Sequence, residues 1–184
     1  MSVKVLVVGP SQSGKSFLSN VLADVSDKPS EVYRKTEGCR ILEFERELPT
    51  SKQNFAVELW DVGGDQKLSK CWPAIQRESS ACVLVYNPEV PANCKEVEQW
   101  YDKFAASNGI PGNLCMLVGS STSAKSTQAF APPAKLSALT GGKNVHLLCP
   151  ETAPQLRVDF DSFLEKVYSS QRAKQARIEE DLIA

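Results

Sequence analysis

The segment Gly9-Pro10-Ser11-Gln12-Ser13-Gly14-Lys15-Ser16 constrains this chain more than any other. It matches GxxxxGK[ST] and stands after the strand-like run Val3 to Val8 and before a helix-like run from Lys15, which is the order that a phosphate-gripping P-loop requires. Gly9 and Gly14 permit the tight backbone path. The N–H groups of the loop and of the helix start face phosphate oxygens, and Lys15 reaches the β- and γ-phosphates. The hydroxyl of Ser16 is then a Mg²⁺ ligand. Ser11, Gln12, Ser13, Gly14, Lys15, Ser16 and Phe17 are read together as nucleotide-binding.

A strand feeding a P-loop predicts a β/α chain, and the rest of the sequence keeps that rhythm. Apolar, β-rich runs occur at Val3 to Val8, Cys39 to Glu45, Phe55 to Trp60, Ala81 to Tyr86, Cys115 to Val118 and Val145 to Leu148. VLVV, CVLVY and CMLV are apolar almost throughout, as strands covered on both faces are. The two runs between Arg40 and Trp60, joined by LPTSKQN, form an antiparallel hairpin at one edge. Helices are expected at Lys15 to Val25, around Lys67 to Glu78, at Ala92 to Ala106, and from Leu156 to about Glu180, where Phe160, Phe163, Leu164 and Val167 recur at helical spacing. Ser120 to Lys143 reads as a long surface loop with one short helix. The expected fold is α/β: a mostly parallel six-stranded sheet with one antiparallel edge pair and helices on both faces. The whole chain, 1–184, reads as one domain with a polar helix end from about 170.

Composition narrows the partners. The net charge of −1 gives no broad pull towards nucleic acid or anionic lipid, so the expected partner is a protein. The six cysteines form no CxxC pair and read as reduced core thiols in a cytosolic protein. The start carries no secretory pattern, Ser2 excludes N-myristoylation, and EEDLIA offers no prenyl cysteine, so no membrane anchor is expected.

Leu59-Trp60-Asp61-Val62-Gly63-Gly64 supplies a second phosphate element, an acid at a strand end followed by glycine. Asp61 would hold Mg²⁺ through a water, and the Gly64 N–H would sense the γ-phosphate. Between the two motifs, Thr36 in Tyr33-Arg34-Lys35-Thr36-Glu37-Gly38 is the natural residue to complete the metal shell and to order its loop on a triphosphate.

P-loop, loop threonine and WDxGG, in that order, resemble the Ras-like small GTPases over essentially the whole chain. Within that superfamily GPSQSGKS, TEGCRILEFE, ELWDVGGDQK, CWPA and EVEQWYDKF look most like the Rab-like small GTPase subunits of the intraflagellar transport B complex. The resemblance implies GTP or GDP with Mg²⁺, and docking on coiled-coil transport subunits through a nucleotide-sensitive face to which Thr36 and Gly38 belong. It also implies a chain monomeric on its own, in the cytoplasm, the cilium or flagellum and its basal body.

The departures from that pattern carry expectations too. In place of NKxD stands Ser120-Ser121-Thr122-Ser123, so that Ser120 and Ser123 fall at base-reading positions without the carboxylate that accepts two bonds from guanine. The SAK-like Ser123-Ala124-Lys125 comes too early to be the family's element, although Lys125 is within reach of a base; Cys149-Pro150-Glu151 stands at the expected place. The water-orienting glutamine that follows the glycine of DxxG is Asp65 here, with Gln66 one residue late. These two are the catalytic candidates, and slow hydrolysis is expected because near-attack geometry does not tolerate such a shift. Trp72 of CWPA is expected on a partner surface, and Trp100 and Tyr101 in the core. His146 reads as a packed or edge histidine with no catalytic role. Competing readings are a cycling GTPase switch with an external activator, a P-loop ATPase or nucleotide kinase, which would need arginine-rich lid segments, and a degenerate domain without nucleotide.

Overall fold

The computed structural model describes residues 2–30, 32–50, 52–121, 132–142, 145–149 and 151–183. Among these, six strands form one sheet in the order β2-β3-β1-β4-β5-β6. They are β1 (Ser2–Val8), β2 (Cys39–Glu47), β3 (Asn54–Val62), β4 (Ala81–Tyr86), β5 (Cys115–Ser120) and β6 (Val145–Leu148). β2 runs antiparallel to β3, and every other pairing is parallel, as the hairpin and the apolar runs predict.

The helices are α1 (Lys15–Leu22), α2 (Trp72–Gln76), α3 (Pro91–Phe104), α4 (Ala134–Leu139) and α5 (Ala153–Ile183). Every residue of β4 and β5 is buried, which requires cover on both faces of the sheet. α1 contacts α5, while aromatic side chains join α2 to α3. On α5, Phe160, Phe163, Leu164 and Val167 are all buried, and the described side chains from 172 to 182 are exposed. No described helix is long and apolar enough to cross a membrane.

Two helices differ from their expected bounds for identifiable reasons. α1 stops at Leu22 rather than Val25. Arg46 donates to the Leu22 carbonyl at 2.6 Å and Arg157 to that of Val21 at 3.0 Å, so arginines take carbonyls that another helical turn would use, and Asp24 turns into a left-handed conformation with φ 55°. In the segment expected as a helix over 67–78, a 3-10 turn, Gln66–Cys71, precedes the short α2. Asp65 caps that turn by accepting the Lys67 N–H, and Pro73 lies in the first turn of α2, where its missing N–H does no harm.

Trp72 corrects an expectation. It is 7% exposed, with its ring centroid 5.1 Å from that of Trp100 and 5.0 Å from that of Phe104, and Lys103 lies over its face. An amphipathic α2 buries its largest apolar ring against α3, so Trp72 is core and not a partner surface. Trp100 and Tyr101 are core as expected. The thiols divide: Cys82, Cys115 and Cys149 are buried, Cys39 and Cys94 half-buried, and Cys71 is exposed, so the core reading fails for Cys71. His146 on β6 sits 3.1 Å from Asp159 of α5, a packed histidine. Trp72→Ala should cost about 3–5 kcal/mol of stability in denaturant titration, as buried aromatic truncations do; a loss of under about 1 kcal/mol would return Trp72 to the surface.

Candidate nucleotide-binding site

β1 has β3 on one side and β4 on the other. Successive connections therefore leave it in opposite directions, and a crevice opens beyond the carboxyl ends of β1 and β3, where ligands of open α/β sheets bind. Two local sequences end in this crevice. The P-loop leaves β1, and Gly63-Gly64 leaves β3. Together they wall a cavity of about 350 Å³ lined by Ser11 through Phe17, Asn20, Thr36, Gly64 and residues of the segment from Pro29 to Lys35.

Gly14 has φ 89°, a left-handed conformation, and a Cβ there would collide with the Ser120 side chain. Only glycine suits both demands. Lys15 is buried, and its ammonium donates to the carbonyls of Gly9 at 3.0 Å and Pro10 at 2.6 Å. Burial pushes its pKa down to about 8, against the opposing pull of Asp61; an anion in the loop would favour the charged form. The hydroxyl of Ser13 is buried with no hydrogen-bond partner. Gly64 presses on the loop so closely that a Cβ would stand 2.6 Å from Ser11 N and 2.8 Å from the Pro10 carbonyl carbon.

Two of the three expected metal-binding residues meet, and the third, Asp61, is not among the residues lining the cavity but is linked to Ser16 through Arg40. Ser16 Oγ and Thr36 Oγ1 are 2.9 Å apart, although Thr36 comes from the loop before β2. Asp61 is 0% exposed, and neither carboxylate oxygen has a hydrogen-bond partner. Arg40 Nη2 lies 3.2 Å from Asp61 Oδ2, within ion-pair range but outside hydrogen-bond geometry, and donates instead to the Ser16 carbonyl. Such a carboxylate is expensive unless a cation compensates it. One carboxylate and two hydroxyls form a hard-oxygen set suited to Mg²⁺, which keeps waters and phosphate oxygens in its shell. The residues therefore fit a P-loop Mg²⁺–nucleotide site.

The remaining expected residues are less uniform. Gly38 accepts the Gly63 N–H at 2.8 Å. Asp65 is bonded to Lys35 at 2.5 Å and caps the 3-10 turn; the Lys35 bond holds its carboxyl below the usual range and raises the Lys35 pKa. Gln66 is exposed. Ser120 is buried beside Gly14 and is not among the residues lining the described cavity. Ser121, at the family's lysine position, donates to Glu89 Oε1 at 2.8 Å. Ser123, Lys125 and Pro150 lie outside the described residues. Sequence reasoning missed Arg40, Lys35 and Glu89. Arg40 pairs with Asp61 across the hairpin, a signal available only once the register is assumed.

Asp61→Asn keeps a polar group of the same shape but removes the buried charge, whose desolvation the partly exposed Arg40 does not fully repay, so it should raise the stability of the nucleotide-free chain by about 1–3 kcal/mol. Differential scanning calorimetry without nucleotide or Mg²⁺ checks it, and a destabilised variant would show that the Arg40 pair outweighs the burial.

Comparison with known proteins agrees with this geometry. Residues 4–123 match the sequence profile of Roc, the "Ras of Complex" domain of DAPkinase. The intraflagellar transport protein 22 homologue of Rattus norvegicus is 37% identical over 186 residues, covering 97% of each chain. That of Danio rerio is 35% identical over 188 residues, covering 98% of each. The GTP-bound crystal structure of T. brucei IFT22/74/81 contains a similar fold with a TM-score of 0.75 and 30% identity, covering 95% of this chain and 99% of that one. With the profile spanning more than half of the chain and these relatives nearly all of it, the chain belongs to the intraflagellar transport protein 22 family, built on a Ras-like GTPase domain.

Proposed function

We propose that this chain binds GTP with Mg²⁺ and serves as a peripheral subunit of the intraflagellar transport B particle, with slow or no intrinsic hydrolysis. The observation that carries the reading is the meeting of Ser16 and Thr36 hydroxyls at 2.9 Å, with Arg40 joining the Ser16 carbonyl to a buried carboxylate that lacks any hydrogen bond. Ser16 and Thr36 would hold the metal directly, and Asp61 would hold it through water. When bound, Mg²⁺ neutralises phosphate charge. Lys15 and the loop N–H groups bind the β- and γ-phosphate oxygens, and the Gly64 N–H takes the terminal phosphate. GTP is named in the crystal structure of the T. brucei relative, and the cavity meets the same P-loop requirements.

Slow hydrolysis follows from two side chains. Asp65, at the water-orienting position, is turned to Lys35, and Gln66 points to solvent. Neither is placed to orient water, which is most of what such a residue contributes to phosphoryl transfer. The relative in that crystal structure is assembled with the partners numbered 74 and 81. By analogy, the loops carrying Thr36 and Gly38 dock on coiled-coil subunits of the transport particle, in the cytoplasm and at the cilium or flagellum and its basal body. The chain on its own is a monomer. Guanine recognition falls to contacts other than an NKxD carboxylate, with Ser120, Ser123 and Lys125 nearest by sequence.

Titration of the emptied chain with GTP, GDP and ATP in Mg²⁺ tests the reading, and equal binding of ATP would replace it with a P-loop ATP-binding protein. Ser16→Asn should weaken triphosphate binding about tenfold or more by removing a metal ligand, with circular dichroism unchanged; unaltered affinity would remove Ser16 from the shell. Asp65→Gln should raise single-turnover hydrolysis of bound GTP by about tenfold, and an unchanged rate would place the deficit elsewhere.

A further inference from the structure

The loops carrying Thr36 and Gly64 meet each other as well as the P-loop. Lys35, immediately before Thr36, reaches Asp65, immediately after Gly64, with 2.5 Å between Nζ and Oδ2. Beside them the Gly63 N–H donates to the Gly38 carbonyl. Asp65 is no loose surface acid. Its second oxygen accepts the Lys67 N–H at 2.9 Å, and its side chain is 20% exposed against 49% for Lys35. A carboxylate already held in one orientation loses little further freedom when an ammonium arrives. That reduces the entropic cost that leaves many surface ion pairs without effect.

We propose that Lys35 and Asp65 are positioning residues that form a latch, holding the Thr36 and Gly64 loops together and so slowing release of a bound nucleoside triphosphate. The inference rests on the triphosphate reading of the site. The latch acts through Thr36 and Gly64, the two positions that read the terminal phosphate in that arrangement. A diphosphate gives neither loop that contact, so the latch slows its release less. The position that orients water in Ras-like enzymes serves retention in this chain.

The test is the release rate of a fluorescent, non-hydrolysable guanosine triphosphate analogue and of fluorescent GDP from the full chain in Mg²⁺. Wild type is compared with Lys35→Met, Asp65→Asn and the double variant. Asparagine still accepts the Lys67 N–H, so the cap survives, and Lys35 is half exposed, so folding is not at stake. Each single variant should speed triphosphate release about two- to fivefold, and the double should be no faster than either. Lys35→Arg should restore slow release. Raising salt from about 0.05 M to about 0.5 M should speed the wild type but not the double variant. Unchanged triphosphate release, additive single effects, or equal acceleration of both nucleotides overturns the latch alone. A wild-type chain that retains neither nucleotide overturns it together with the triphosphate reading.

Discussion

Asp61 is the residue around which the rest of this structure is arranged. It stands on β3, is fully enclosed, and neither oxygen accepts a hydrogen bond. Burying a carboxylate costs several kcal/mol; here the Arg40 guanidinium 3.2 Å from Oδ2 offsets part of that cost without a hydrogen bond, and no packing benefit requires an acid there. Lys15, across the same crevice, is also buried, and its charge is disfavoured for the same reason. Two opposite charges kept dry, each short of a full set of partners, suit a third group that carries both signs, and a metal–phosphate pair is such a group. Stability given up locally at a binding site is the usual form that function takes in an otherwise well-packed chain.

The sheet explains how distant loops reach this carboxylate. Thr36 precedes β2 and Gly64 follows β3, and the antiparallel register sets Cys39 opposite Val62. The two loops are therefore the open end of one hairpin, and the bond from Gly63 to Gly38 extends its ladder by one step. Paired backbone joins the two loops at this end. Because β3 lies beside β1 in parallel, the same end of the hairpin lies against the P-loop, where Gly64 packs on Ser11 too closely for any side chain. On the proposed triphosphate reading, this coupling would let the two loops respond as one.

Legibility in the sequence followed the range of the interactions. The strands were readable because burial on both faces writes long apolar runs, and β4, buried throughout, occupies the expected residues. Helix ends were less readable. The stop of α1 depends on Arg46 and Arg157, which come from β2 and α5. Trp72 was misjudged because a tryptophan beside a glycine-rich loop suits an interface as well as a core, and only the placement of α3 decides between them. Lys35 was passed over because a single basic residue in a polar loop carries no periodicity, and Arg40 because only the hairpin register sets it opposite Asp61.

The amino-acid sequence alone determined the class of fold and the phosphate chemistry. The P-loop is contiguous, so its glycines, lysine and serine create their own geometry from local backbone preferences, and strand burial shows directly in composition. Tertiary structure alone decided that Arg40 faces Asp61 and that Lys35 bonds Asp65. Those pairs are joined by strand register and loop closure, which depend on the summed packing of the whole sheet and leave no mark on the residues themselves.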